Sequence, residues 1–443
     1  MTSSLVEVFQ PGDLVALDEG EHDYDELLDL IGERRFVLLG EASHGSHEFY
    51  RERSRITQRL IEEKGFTVVA AEADWPDASR VNSYVMGRSE DPDAKVALEG
   101  FERFPSWMWR NKDVVEFVEW LRTHNQGHID EQFKTGFYGL DLYSLHTSME
   151  AVITYLSSVD PDAAIEARER YSCFDHVRAG GSEYGRAVTL DHMVPCENEV
   201  VAQLVAMQYK TAELLARDGW TEEERLFSAS QNARLVHNAE RYYRMMYSGS
   251  VSSWNIRDQH MAETLSHLVD HRDRHFGPTK VVVWAHNSHV GDARSTQLGS
   301  AGELNVGQLV RTTWGDESFL VGFTTDHGRV TAASNWGDPA ERKQVRPALH
   351  GSYEELFHLA QLDRFLVPLG QHAPFTLERE RLERAIGVIY RPETERHSHW
   401  FSAHLPSQFD AVIHIDHTTA VEPLERTASW DMGEPPETYP SGL

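Results

Sequence analysis

Cysteine and lysine are scarce in this chain, and each scarcity excludes something. Cys173 and Cys196 are the only cysteines in 443 residues. Two cysteines cannot build a disulfide framework or a zinc centre of several thiolates, so two inert thiols are expected. Only seven lysines are present, and 42 basic residues stand against 71 acidic ones, a net charge of −29. A basic face for phosphate contact is missing, which excludes nucleic acid as a partner. Many acids with few lysines also suit solubility at high salt. No apolar stretch approaches the roughly 18 residues that span a bilayer. Met1-Thr2-Ser3-Ser4 lacks the basic region and apolar core of a secretory signal, so a cytoplasmic chain without a membrane partner is expected. A Walker A loop, a dinucleotide fingerprint and a serine with glycine at −2 and +2 are all absent. No cofactor is expected, and the serine elbow of α/β-hydrolases is excluded.

A hydrophobic content of 40% supports a folded core of ordinary size. Apolar, β-branched runs recur at Arg35–Gly40, Phe66–Ala71, Gly136–Leu140, Thr279–Trp284, Phe319–Thr324, Phe365–Leu369, Ala385–Tyr390 and Ala411–Ile415. Helical patterns separate most of them. This predicts an α/β fold with a largely parallel central sheet flanked by helices. One helix is predicted over His47–Glu63, with Ser46 as N-cap and Gly65 past its end, and another over Asp113–Asn125. Between residues 143 and 275 strand-like runs vanish. Amphipathic stretches at Glu197–Arg217, Thr221–Tyr247 and Asn255–Arg272 predict a helical insertion, either a lid or substrate domain or helices that pad the core. The organisation expected is a discontinuous core of residues 1–142 and 276–420, the insertion at 143–275, and a loop-like, mobile tail at 421–443.

Polar residues stand where the buried runs end. The first ends at Gly40-Glu41-Ala42-Ser43-His44-Gly45, the second at Glu72, the third at Asp141, the fourth at Ala285-His286-Asn287-Ser288-His289. Open α/β sheets place their chemistry at the carboxyl ends of the strands. A carboxylate beside an imidazole fixes its tautomer and raises its basicity, so Glu41 and His44 suit a general base for water. A helix-capping loop would place the same residues there. Arg53 shares a helical stripe with Phe49 and Ile56 and should be buried. It then needs an anion: Glu41, Glu72 or a developing oxyanion. Glu72 or Asp141 is expected to orient a histidine or arginine. His286 and His289 can donate a proton to a leaving group. With Glu41, Glu72 or His44 they can also ligate a metal. Trp107, Trp109 and Trp254 either line a pocket for a bulky ligand, with Asp141 beside it, or belong to the core.

Together these segments resemble the erythromycin esterase family. The resemblance rests on Gly40-Glu41-Ala42-Ser43-His44, Arg53, Glu72, Gly139-Leu140-Asp141 and Trp284-Ala285-His286-Asn287-Ser288-His289, in order and approximate spacing to about residue 420. It implies an α/β hydrolase that opens a macrolide lactone. The family's general base maps onto His44, its supporting carboxylates onto Glu41 and Glu72, its arginine onto Arg53 and its histidine pair onto His286 and His289. A small-molecule ester or lactone is the partner implied. Two other readings use the same cluster: a metal-dependent hydrolase, and a binding protein without turnover.

Overall fold

The computed structural model describes residues 9–432 except 11, 21, 176–180, 215–219, 248–249 and 371–372. Its strands in chain order are β1 (Val15–Ala16), β2 (Phe36–Leu39), β3 (Val68–Asp74), β4 (Gly136–Asp141), β5 (Val281–Trp284), β6 (Ser318–Thr324), β7 (His327–Ala332), β8 (Glu341–Val345), β9 (Arg364–Pro368), β10 (Arg381–Arg384), β11 (Trp400–Ala403), β12 (Ala411–Ile415) and β13 (His417–Thr418). Eight form the central sheet in the order β1-β9-β12-β6-β2-β5-β3-β4. The neighbours from β12 to β4 all run parallel, and β9 pairs antiparallel with both β12 and β1. The chain passes from β2 outward to β3 and β4. It then returns to insert β5 beside β2 and crosses to β6. The carboxyl ends of β2 and β5 flank that reversal of direction, where α/β sheets open a crevice.

The strands are apolar runs because both faces of the sheet are covered. Alternate residues go to opposite sides. Phe36, Leu38, Val68, Ala70, Val281 and Val283 share one core with Met261, Leu265 and Leu268 of the helix Ser250–Phe276. Val37, Leu39, Val69, Ala71, Val282 and Trp284 share the other with Phe49, Ile56 and Leu60 of the helix His47–Lys64. That helix ends at Gly65, which adopts the left-handed conformation (φ 70°). Ser46 occupies its N-cap position, but its hydroxyl meets Ser43 Oγ at 2.5 Å and caps no backbone N–H.

Between β4 and β5 the described residues form helices and no strand, ending in Glu197–Leu214, Trp220–Met245 and Ser250–Phe276. Residues 215–217 of the first amphipathic stretch lie outside the described residues. These helices form one core with a face of the sheet, so they cover it as well as reaching the site described below.

Three expectations are overturned. Ala385–Tyr390 is not a strand. It crosses above the carboxyl edge of the sheet and touches it only through single bridges, Ser43 to Ile386 and Ala333 to Ile389. Cys173 and Cys196 are bonded to each other, with Cα atoms 5.9 Å apart. They sit after Pro161–Tyr171 and before Glu197–Leu214, and the return of the chain between these helices brings them together. The beginning of the tail is ordered. Trp430, in the helix Ala428–Met432, is buried and donates to Thr331 Oγ1 on β7 at 2.8 Å. Residues 433–443 of the tail lie outside the described residues.

Candidate active site

The loop after β2 and the loop after β5 are laced together. Asn287 pairs both ends of its side-chain amide with the backbone of Phe323 on β6 (2.7 and 3.2 Å) and donates its N–H to Glu41 O (2.8 Å). Position 40 must be glycine, because a Cβ there would lie 2.1 Å from Asn287 Oδ1. Gly45 is held as closely, since a Cβ would meet Thr331 O at 1.9 Å. The loop that carries Glu41 and His44 therefore has little freedom. Ile386 clamps its outer side through bonds to Ala42 O and His44 N.

Within that loop His44 Nδ1 lies 2.7 Å from Glu41 Oε1. Glu41 Oε2 accepts from Arg53 Nη2 at 2.5 Å. Arg53 is buried between the rings of Tyr50 (4.7 Å) and Trp284 (5.1 Å). The carboxylate thus holds His44 on one oxygen and is itself neutralised on the other. Because Glu41 can only accept, Nδ1 carries the proton and Nε2 presents its lone pair. Nε2 lies 3.8 Å from Glu72 Oε1, at the cavity wall.

Glu72 ends up among three cations or potential cations. Arg257 Nη2 donates to Oε1 at 2.6 Å, His289 Nε2 stands 3.4 Å from it, and the His286 backbone N–H donates to Oε2 at 2.9 Å. Burial disfavours its charge, but His289 and Arg257 outweigh burial and hold the carboxyl well below the usual range. Arg257 also makes a fork to Asp141, Nε to Oδ1 at 3.0 Å and Nη2 to Oδ2 at 2.7 Å. His289 Nδ1 bonds Asp258 Oδ1 at 2.8 Å, and its ring stacks on Trp254 at 4.5 Å. Burial opposes the charge of His289, but Asp258 and Glu72 prevail and raise its pKa to about 9. The charged ring points Nε2–H at Glu72. Arg257 Nη1, 3.1 Å from Nε2, is then a like-charged neighbour and not its donor.

His286 has the opposite environment. Burial pushes its pKa well down, so it is neutral. Its Nδ1 accepts from the Ser288 N–H at 3.2 Å and meets Ser288 Oγ at 2.8 Å. This assigns the proton to Nε2, which is sealed from solvent and makes no hydrogen bond of normal geometry, although the Ala42 backbone lies close enough to act on the ring. The rings of His286 and His44 are 4.8 Å apart, centre to centre. The lone pair of His44 and the N–H of His286 are thus carried on neighbouring rings, the His286 Nε2 sealed from solvent.

Both line a cavity of about 460 Å³. Glu72, Asp141, Trp109, Trp254, His286 and His289 are on its wall with His44, as the sequence leads one to expect. Glu41 and Arg53 stand behind His44. Arg53 is sealed against Glu41, Tyr50 and Trp284, so it is not the donor for an oxyanion. Trp107 is also off the wall, packed edge-on against Phe104 at 5.3 Å. The short 3₁₀ turn Ser106–Met108 turns it away from Trp109. Sequence reasoning missed Arg257 and Asp258. Its own spacing rule could have found them, since they stand four and three residues before Met261 on the buried stripe. It also missed Arg103, whose Nε bonds Asp74 Oδ2 at 3.1 Å while its guanidinium lies 4.4 Å from the Tyr143 ring. No spacing signal marks that residue.

A metal held by His286, His289 and a carboxylate does not suit these donors. The charged His289 turns an N–H and not a lone pair to Glu72, neutral His286 has its Nδ1 lone pair turned to Ser288, and the Arg257 guanidinium already occupies Glu72 and Asp141.

Solved structures share this architecture. A protein described as a succinoglycan biosynthesis protein aligns with a TM-score of 0.72 at 22% identity, covering 94% of this chain and 97% of that one. A variant of erythromycin esterase EreC in its open conformation aligns with a TM-score of 0.68 at 16% identity, covering 92% and 96%. These likenesses show the fold. In sequence, the chain is similar to an erythromycin esterase type II of Escherichia coli, 24% identical over 76% of this chain and 81% of that protein. It is also similar to a putative hydrolase, YbfO, of Bacillus subtilis (strain 168), 21% identical over 92% and 89%. A family model described as Erythromycin esterase matches residues 61–418, most of the chain. The chain belongs to the erythromycin esterase family.

Proposed function

We propose that the protein hydrolyses a carboxylic ester or macrolactone by direct attack of water, with His44 as general base. The observation that carries this is His44 on the cavity wall with its proton fixed on Nδ1 by Glu41, so that Nε2 presents a lone pair 3.8 Å from Glu72 Oε1. A water at His44 Nε2 gives it a proton as the oxygen attacks the acyl carbon. Glu72, held ionised, accepts the water's other hydrogen and orients its lone pair. On substrate binding the His286 ring turns its Nε2–H, sealed in the free protein, to the carbonyl oxygen as it becomes an oxyanion, worth roughly 3–4 kcal/mol for one good donor. Collapse of the tetrahedral intermediate breaks the acyl–oxygen bond, and His44 returns its proton to the leaving alkoxide. Neutral His286 is too weak an acid to give its remaining proton to the leaving group. Cationic His289 balances the negative charge gathered around Glu72. No covalent intermediate is required.

The Arg257 guanidinium on Glu72 and Asp141, the carboxylates an ion would need, supports a reaction without a metal. Undiminished turnover after dialysis against a chelator is expected. A macrolide fits the family and would make the protein a resistance factor. The deciding experiment incubates the protein with macrolides and with simpler esters and lactones, followed by mass spectrometry. A mass gain of one water is expected from at least one. A ligand that stays unchanged yet raises the melting temperature would make this a binding protein instead.

A further inference from the structure

A second cluster of imidazoles and carboxylates lies at the carboxyl edge of the sheet, on the side of β6, β12 and β9. It is built from a repeated dipeptide. Asp326-His327 leads into β7 and Asp416-His417 leads into β13, and in the parallel pairing of those strands His327 and His417 are register partners. Their rings stand 5.1 Å apart. His358, the last residue of the helix Tyr353–His358, comes in from a third element. One ligating atom each from Asp326, His327 and His358 lie within 4.8 Å of one another. Among the described residues no other three histidine, cysteine or acidic side chains meet that closely. None of the three lines the hydrolytic cavity.

We propose that Asp326, His327 and His358 bind a divalent transition-metal ion of the zinc type, at a site separate from the hydrolytic centre. One carboxylate and two imidazoles are the donors zinc takes, at about 2.0–2.2 Å each. Tetrahedral donors at those lengths stand about 3.4 Å apart, so the cluster needs to close by about 1 Å. His327 and His358 are free to do so. Their side chains are 35% and 48% exposed, and neither is packed in the core. Asp326 is the fixed point. It is buried, its Oδ1 accepts from the Ala348 N–H at 3.1 Å, its N–H donates to Asp416 O at 3.2 Å, and its carbonyl accepts from Arg384. Its Oδ2 lies 2.8 Å from His327 Nδ1 and 3.8 Å from His358 Nδ1. Asp416 holds His358 Nδ1 at 2.7 Å, so His358 would meet the ion through Nε2, with Asp416 as the carboxylate behind it. Asp326 and Asp416 give the site the negative charge a divalent cation needs. The ion would tie the small sheet of β7, β8 and β13 to the helix Tyr353–His358, so its role is structural.

The test titrates the purified full-length protein with zinc by calorimetry and with cobalt by visible absorption, in chelator-treated buffer. One ion per chain is expected, with cobalt bands of a nitrogen- and oxygen-ligated ion and a melting temperature that rises with zinc. His327→Ala/His358→Ala should weaken binding at least ~100-fold and remove the thermal shift, since two of three ligands are gone. His358→Gln, at an exposed position, is the milder variant and should weaken zinc by ~10-fold or more. His286→Ala/His289→Ala should leave zinc affinity unchanged. Absence of stoichiometric binding, or binding that survives the first double variant or is lost in the second, overturns the proposal.

Discussion

Exchanging Glu41 for glutamine removes one charge and almost no volume, and it disables the base in either orientation of the new amide. The carboxylate now serves two donors, His44 Nδ1 at 2.7 Å and Arg53 Nη2 at 2.5 Å. A glutamine has one acceptor to offer. If its oxygen faces Arg53, its NH₂ faces His44 Nδ1 and drives the ring proton to Nε2, where the lone pair is needed. If its oxygen faces His44, a donor is set against a buried guanidinium that has no other anion. Breaking a buried pair on one side costs about 3–5 kcal/mol. The first orientation is therefore favoured, and it carries the wrong tautomer. The same carboxylate-to-amide exchange behind a catalytic histidine costs about 10⁴ in turnover, the upper end of general-base catalysis. Glu41→Gln should lower kcat by about 10³–10⁴, or about 4–5 kcal/mol in the barrier. Initial rates at saturating ester measure it, with circular dichroism and a melting curve to establish folding. A folded variant that keeps kcat within tenfold of the parent refutes the reasoning.

Other substitutions separate the remaining parts. His286→Phe should cost about 10²–10³ in kcat with KM little changed, as loss of one oxyanion donor does, and steady-state kinetics reads both. Arg257→Met leaves Glu72 and Asp141 without their shared cation, so denaturant unfolding should show a loss of about 3–5 kcal/mol. Equal stability would mean that the fork to Asp141 contributes nothing. Asp77, on the cavity wall, has its pKa raised to about 7 by burial and by the charge of Asp74. Its folded pKa lies above the unfolded value near about 3.9, so the protonated form stabilises the fold below that value and the contribution is lost as pH rises to about 7. Asp77→Asn should therefore melt higher than the parent at pH 8 and alike below pH 4. A gap that stays constant across that range rejects this.

The sheet was largely legible because its strands are buried on both faces and read as unbroken apolar runs. β7, β8, β10, β11 and β13 were not, since they are short, partly exposed and rich in polar residues. Ala385–Tyr390 misled for the converse reason: an apolar run covered by loops looks like a strand. Glu41, His44, Glu72, His286 and His289 stood out because buried runs ended on them, and Arg53 because helical spacing put a charge on a core stripe. Arg257 and Asp258 obey that same spacing, yet they lie in an insertion that showed no chemistry of its own. That Arg53 serves Glu41 and not the oxyanion depended on which way one guanidinium turned, and spacing carries no such information. The bond between Cys173 and Cys196 was equally out of reach, since pairing depends on how two helices return past each other.

The most direct measurement is a single turnover in ¹⁸O-labelled water with enzyme in excess over ester. Water activated by His44 should place one labelled oxygen in the carboxylate product, and none in the alcohol, in that first turnover. His44→Ala should slow the same event by at least ~100-fold. An unlabelled acid contradicts the account: with the label in the alcohol, water attacks the alkyl carbon, and with no label in either product, a protein carboxylate attacks the acyl carbon and is itself cleaved by water.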